Sequence, residues 1–119
     1  MYSEVILLII LVIFIFFIMK AQKRENFNNT QQVILFYAPW CSYSQNFLII
    51  WKNIKKKKEF KNLDFVSVNI DQNPVKAKLF NVKYVPIVYT INGENKKKCP
   101  KENLKSLADF NNYLMSSFQ

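Results

Sequence analysis

Val33-Ile34-Leu35-Phe36-Tyr37 is an unbroken apolar run rich in strand-forming residues, and Pro39 ends it. A strand that is apolar at every position has no face to give to water. It belongs in the middle of a sheet that is covered on both sides. Just downstream, Phe47, Ile50, Trp51 and Ile54 recur at spacings of three and four, which marks one face of a helix. A buried strand followed by an amphipathic helix commits the chain to an α/β arrangement. Asp64–Ile70 reads as a second strand. Pro74 suits the first turn of a short helix that ends near Phe80-Asn81. Pro86–Ile91 reads as a third strand, and Asn92-Gly93 is a hairpin signal. Glu94–Cys99 is then expected as an antiparallel edge strand, whose lysines Lys96, Lys97 and Lys98 discourage edge-to-edge association. Leu104, Leu107, Phe110 and Leu114 mark a last amphipathic helix. The order is βαβαββα. Helices between strands imply parallel pairing, and the hairpin adds antiparallel pairing, so the sheet is expected to be mixed.

Ahead of this pattern lies Val5–Met19, 15 apolar residues without a break. As a helix it covers about 22 Å of a roughly 30 Å hydrocarbon core. Tyr2 and a snorkelling Lys20 extend it. A cleaved signal peptide is the competing reading, with a secreted or lumenal domain as its consequence. Against it, Met1-Tyr2-Ser3-Glu4 carries no Lys or Arg, and bulky Met19 would occupy position −3 if Ala21 were −1. The expected organisation is therefore an uncleaved single-pass membrane anchor over residues 1–20, a polar linker over 21–32 and one domain over 33–119. Lys20, Lys23 and Arg24 follow the apolar segment while Glu4 precedes it, which places the domain on the cytoplasmic side. No internal repeat and no second domain is visible.

Composition excludes several chemistries. The chain has no histidine, which removes the commonest general base and metal ligand. It has two cysteines, Cys41 and Cys99, too few for a four-cysteine zinc site or a secreted disulfide framework. The formal charge of +9 concentrates at Lys55–Lys58 and Lys96–Lys98. These runs read as solvated faces, with attraction to an anionic leaflet or an acidic partner as the sharper reading. The aromatic residues sit inside apolar runs and do not alternate with the basic ones, so no nucleic-acid partner is expected.

Three segments carry a family likeness. Phe36-Tyr37-Ala38-Pro39-Trp40-Cys41 resembles the approach to the active site in protein disulfide isomerase domains. Asn69-Ile70-Asp71-Gln72-Asn73-Pro74 is similar to the matching stretch of thioredoxins. Tyr84-Val85-Pro86-Ile87 stands where that family carries a cis-proline. The chain thus resembles the thioredoxin superfamily over residues 30 to 117. The resemblance implies a thioredoxin-like α/β fold: a central mixed four-stranded sheet flanked by helices, here preceded by one apolar N-terminal helix. In the last third, Ile91-Asn92-Gly93 followed by Cys99 resembles glutaredoxins, which often place a cysteine six residues after that glycine. The extra N-terminal strand and helix of thioredoxins have no room, so a glutaredoxin-sized core is expected.

A cysteine at the start of a helix meets unpaired N–H groups and the positive end of the helix dipole. Both favour the thiolate, lowering the pKa from its usual value of about 8.5. The plainer reading of Cys41 is a small buried hydrophobe. The resemblance implies that Cys41 is a nucleophile acting on protein thiols or disulfides through a mixed disulfide. It also exposes departures. Where the family carries Cys-x-x-Cys, this chain reads Cys41-Ser42-Tyr43-Ser44, a monothiol version. Ser44 replaces the resolving cysteine, and its hydroxyl is too weak an acid for that exchange, though it can hydrogen-bond the Cys41 thiolate. Leu35 stands where related domains often bury a proton-shuttling acid. Resolution then falls to an external thiol such as glutathione or to Cys99, unless Cys99 is an incidental thiol.

By the same resemblance, Val85 pairs with substrate backbone and the Pro86 ring lies against Cys41 across a cis bond. Trp40 and Tyr43 form an aromatic substrate-binding rim, with ordinary packing as the alternative for both. No cofactor is expected beyond glutathione. Even that is disfavoured, because the positions that hold its γ-glutamyl end in glutaredoxins read Lys97, Lys98 and Pro100. Cys41-Ser42-Tyr43-Ser44 only loosely resembles the Cys-Gly-Phe-Ser of cluster-bridging glutaredoxins, so no iron–sulfur cluster is expected. Two functions compete: a membrane-anchored thiol–disulfide oxidoreductase acting through Cys41, and a non-catalytic binding module that holds a protein partner.

Overall fold

The computed structural model describes residues 1–25 and 31–118. The first element, α1, is a helix over Tyr2–Glu25. Its Tyr2–Lys20 part is 19 residues with a mean hydropathy of 2.9, long and apolar enough to cross a membrane. Its large side chains are exposed on every side, which a soluble helix with one apolar stripe avoids. The helix runs past Lys20, so the segment expected as a linker is helical up to Glu25 and joins the first strand at Gln31; its residues 26–30 lie outside the described residues.

The rest forms β1 (Gln31–Tyr37), α2 (Ser42–Lys55), β2 (Asp64–Asn69), α3 (Pro74–Leu79), β3 (Ile87–Asn92), β4 (Asn95–Lys98) and α4 (Leu107–Ser117). The strands make one mixed sheet in the order β2-β1-β3-β4. β1 runs parallel to β2 and antiparallel to β3, and β3 is antiparallel to β4.

β1 explains the layering. Val33, Ile34, Leu35 and Phe36 are all buried, and the pleat sends alternate residues to opposite faces. Val33 and Leu35 pack in a cluster with Phe47, Trp51 and Ile54 of α2 and Phe110 and Leu114 of α4. Ile34 and Phe36 pack on the other side with Val68, Ile87, Tyr89 and Ala77 of α3. Aromatic edges lock both layers: Phe47 meets Phe110 at 5.1 Å between ring centroids, and Phe36 meets Phe80 at 5.1 Å. The sheet thus has helices on both faces, with α2 and α4 on one and α3 on the other.

Several boundaries differ from the sequence reading. The β3–β4 loop is Gly93-Glu94 between paired Asn92 and Asn95, one residue later than the Asn-Gly signal suggests. Gly93 takes φ of 65°, the left-handed region that glycine enters freely. β3 starts at Ile87 because Pro86 has no N–H for a ladder. Leu104 belongs to a separate 3₁₀ turn, Lys101–Leu104, and α4 starts only after Ser106. Ser106 is extended there, and its hydroxyl accepts the Asp109 N–H at 3.1 Å, which caps the helix. Among the described residues the domain has four strands and no additional N-terminal strand.

Candidate active site

The turn between β1 and α2 positions Cys41. Its N–H donates to the Ala38 carbonyl at 3.2 Å, closing the turn, and its own carbonyl accepts the Gln45 N–H at 3.0 Å, opening the helix. Cys41 is therefore the N-cap residue, extended at φ −91° and ψ 122°, with its side chain beside the free N–H groups of the first turn. The Ser44 N–H holds the thiol below its ordinary pKa. Partial burial opposes it, while the Ser44 hydroxyl and the Tyr43 N–H act in the same direction. No acidic residue sits in the first turn of α2 to counter them. The sulfur lies 3.8 Å from the Val85 carbonyl. Cys41 is partly exposed, whereas a cysteine serving as a small hydrophobe would be buried.

Ser44 is fully buried. Its hydroxyl oxygen accepts the Ala38 N–H at 3.2 Å, tying the end of β1 to the first turn of α2. The same hydroxyl helps to hold the Cys41 thiol below its ordinary pKa. Ser44 thus braces the turn and stabilises the thiolate. Leu35 is buried between Ser67 and Val88 on the neighbouring strands, so an apolar side chain fills the place of a buried acid.

The Val85–Pro86 bond is cis, and both residues lie half-buried beside the cysteine. Trp40 and Tyr43 are exposed at 69% and 75%, so neither is core packing. Trp40 is nevertheless held in place, because its indole N–H donates to the Asp71 carboxylate at 3.1 Å. Asp71 is in turn fixed by its N–H donating to the Asn69 side chain at 3.0 Å. Sequence reasoning gave Asp71 no role, although the Asn69–Pro74 motif contains it.

Cys99 sits apart from this group. Its N–H donates to the Val88 carbonyl at 2.8 Å, which extends the β3–β4 ladder by one residue. That register turns its side chain to the α2/α4 face, where it joins the core cluster with Phe47 and Phe110 at 1% exposure. Burial, followed by the charge of Glu102, pushes the thiol up to about 12. A resolving cysteine must be an accessible thiolate. The proposed resolving role of Cys99 is at odds with this position, because the thiol is both neutral and enclosed.

A groove of about 500 Å³ adjoins Cys41. Tyr43, Phe47 and Ile50 of α2 form one wall, Tyr84-Val85-Pro86 another, and Lys101, Leu104 and Lys105 the third. Lys101 and Lys105 were not singled out by the sequence, and Tyr84 entered only as part of the cis-proline motif. Their approach comes from the 3₁₀ turn packing beside the loop before β3, a contact with no local signature.

This arrangement can present a nucleophilic sulfur at a helix N-terminus, an apolar groove beside it and a backbone carbonyl facing it. Comparison with known proteins bears on the fold and the family. No curated protein matches the chain in sequence. In structure it is similar to a thioredoxin-2 described as a component of the malaria parasite protein secretion machinery, at 23% identity and a TM-score of 0.65, covering 74% of this chain and 84% of that one. It is similar to the thioredoxin of Fasciola hepatica at 20% identity and a TM-score of 0.63, covering 81% and 89%. A malarial protein matches at 21% identity and a TM-score of 0.63, covering 76% of this chain and 100% of that one. At these identities the likeness concerns the fold alone. The thioredoxin family profile matches residues 17–115, most of the sequence. By fold, by the placement of Cys41 and by that match, the chain belongs to the thioredoxin family.

Proposed function

We propose that the chain is a membrane-anchored thiol–disulfide oxidoreductase that works through one cysteine, Cys41. The carrying observation is the partly exposed Cys41 at the N-terminus of α2, its thiol held below the ordinary range chiefly by the Ser44 N–H. In the reaction, the Cys41 thiolate attacks one sulfur of a partner disulfide. A Cys41–partner disulfide forms, and the other sulfur leaves as a thiolate that takes a proton from water. Ser44 has no sulfur with which to close the cycle. A second thiol from solution, glutathione or a protein thiol, attacks the mixed disulfide and frees Cys41 as its thiolate. Glutathione is here a co-substrate, and no bound cofactor is required.

The apolar helix Tyr2–Lys20 supports the anchor, and Lys20, Lys23 and Arg24 after it favour a cytoplasmic domain. A second reading has a specific basis: Ser44 and Leu35 both lack the groups that complete a two-cysteine cycle. It makes the chain a binding module that retains its partner.

The test uses the full chain in neutral detergent. Wild type and Cys41→Ser are compared for adducts with a disulfide-bearing peptide and for deglutathionylation of a glutathionylated peptide in excess glutathione. The expected result is adducts and turnover in the wild type and neither in Cys41→Ser. Adducts without turnover support the binding module, and wild type lacking both overturns the exchange reading and makes Cys41 structural. A C-terminal tag that is protease-protected in sealed vesicles whose cytoplasmic face is outward overturns the cytoplasmic placement.

A further inference from the structure

The groove beside Cys41 has a chemical bias. Its ten lining residues include two lysines, Lys101 and Lys105, and no acid. A third lysine joins them, because Lys98 and Lys101 stand over the same Tyr84 ring, 4.6 Å and 4.0 Å from its centroid. Two ammonium groups thus gather against the Tyr84 ring at the groove wall. All three lysines are exposed, so each keeps donors free for an incoming anion. The acids nearby are occupied or turned elsewhere. Asp71 is bound by Trp40, and Asp109 is bound by Ser106 at the cap of α4. Glu102 is the neighbouring carboxylate on the 3₁₀ turn, and it stays outside the lining. The lining between these charges is apolar, with Phe47, Ile50 and Leu104 among its residues.

Resting on the thiol-exchange reading, we propose that this groove selects a cysteine-bearing, acidic stretch of a partner polypeptide. The partner's sulfur meets Cys41, an apolar side chain enters the groove, and its carboxylates pair with Lys98, Lys101 and Lys105. Charge complementarity identifies the occupant: a basic rim without an acid attracts carboxylates and repels basic segments. A polypeptide fits better than a small thiol because exposed Trp40, outside the groove lining, adds aromatic surface to that of Tyr43 at its wall. The covalent step is unchanged: one Cys41–partner S–S bond forms, the partner's original S–S bond breaks, and its other sulfur departs as a thiolate.

The experiment uses the full chain in neutral detergent and peptides whose cysteine is a mixed disulfide with thionitrobenzoate. Three peptides differ only in flanking Glu, Gln or Lys, and the glutathione mixed disulfide serves as a fourth substrate. The Glu peptide is expected to react roughly tenfold faster than the Gln peptide at low salt, with the Lys peptide slowest. That advantage is expected to shrink in high salt and to invert in the Lys101→Glu/Lys105→Glu variant. Equal rates for the Glu and Gln peptides overturn the proposal while leaving the thiol chemistry standing. An advantage confined to the glutathione substrate also overturns it, in favour of a small-anion site. If no disulfide reacts, the exchange reading fails, and noncovalent binding to Cys41→Ser decides. Tighter binding of the Glu peptide there upholds the groove's selectivity, and equal binding overturns it.

Discussion

Cys41 and Cys99 are the same side chain in one domain, and their surroundings make them opposites. Cys41 ends a turn, faces unpaired N–H groups and keeps partial access to water. Cys99 ends a strand, faces Phe47 and Phe110 and is enclosed. In the first case oriented backbone dipoles stabilise the charged form, and in the second the loss of water destabilises it. The chemistry of a cysteine here follows from the end of the element it occupies.

The comparison breaks most visibly in labelling rates. With a neutral alkylating reagent at pH 7.5, Cys41 is expected to react at least roughly a thousandfold faster than Cys99 in the folded chain, from thiolate fractions alone. In denaturant the two rates converge, as peptide mapping of the labelled sites will show. Comparable rates in the folded chain mean that Cys99 leaves the core readily, which restores it as a resolving thiol.

Alkaline unfolding sharpens the same contrast. A folded-state pKa of about 12 for Cys99 lies above its unfolded value, so its contribution is fully present below the unfolded pKa. It is lost as pH rises from about 9 through 12, by an amount on the order of 4 kcal/mol at the limit. Urea unfolding of wild type and Cys99→Val across that range measures it. The variant is expected to lose less stability with rising pH, and parallel curves refute the assignment.

Ser44→Ala produces the smallest effect. It leaves the buried Ala38 N–H without its acceptor, a loss of about 1–3 kcal/mol. It also removes one of the donors that favour the Cys41 thiolate, so the pH profile of Cys41 labelling moves upward. An unmoved profile together with lower stability means that Ser44 is only a brace for the turn.

Much of the fold is legible because it is local. The apolar run of β1, the spacing on α2 and the proline opening α3 each state their own structure through periodicity or φ preference. Misreadings arise where a local signal competes with a neighbour. Leu104 fits the spacing of α4, but extended Ser106 caps that helix later. Asn92-Gly93 suggests a turn, yet pairing of Asn92 with Asn95 places the loop at Gly93-Glu94. In the site, Cys41 is visible as the residue between a strand and a helix. Asp71 is hidden because its bond to Trp40 joins residues 31 positions apart.

By itself the sequence determined an α/β domain behind an apolar helix, with a cysteine at a helix start and a serine where a second thiol would stand. Those features depend on neighbours a few residues away, whose preferences are set by periodicity and capping. Only the tertiary structure decided that Cys99 is core, that Ser44 holds the end of β1, and that three lysines gather beside Tyr84. Each of these follows from strand register and helix packing, which bring distant residues together and set the water and charge around them.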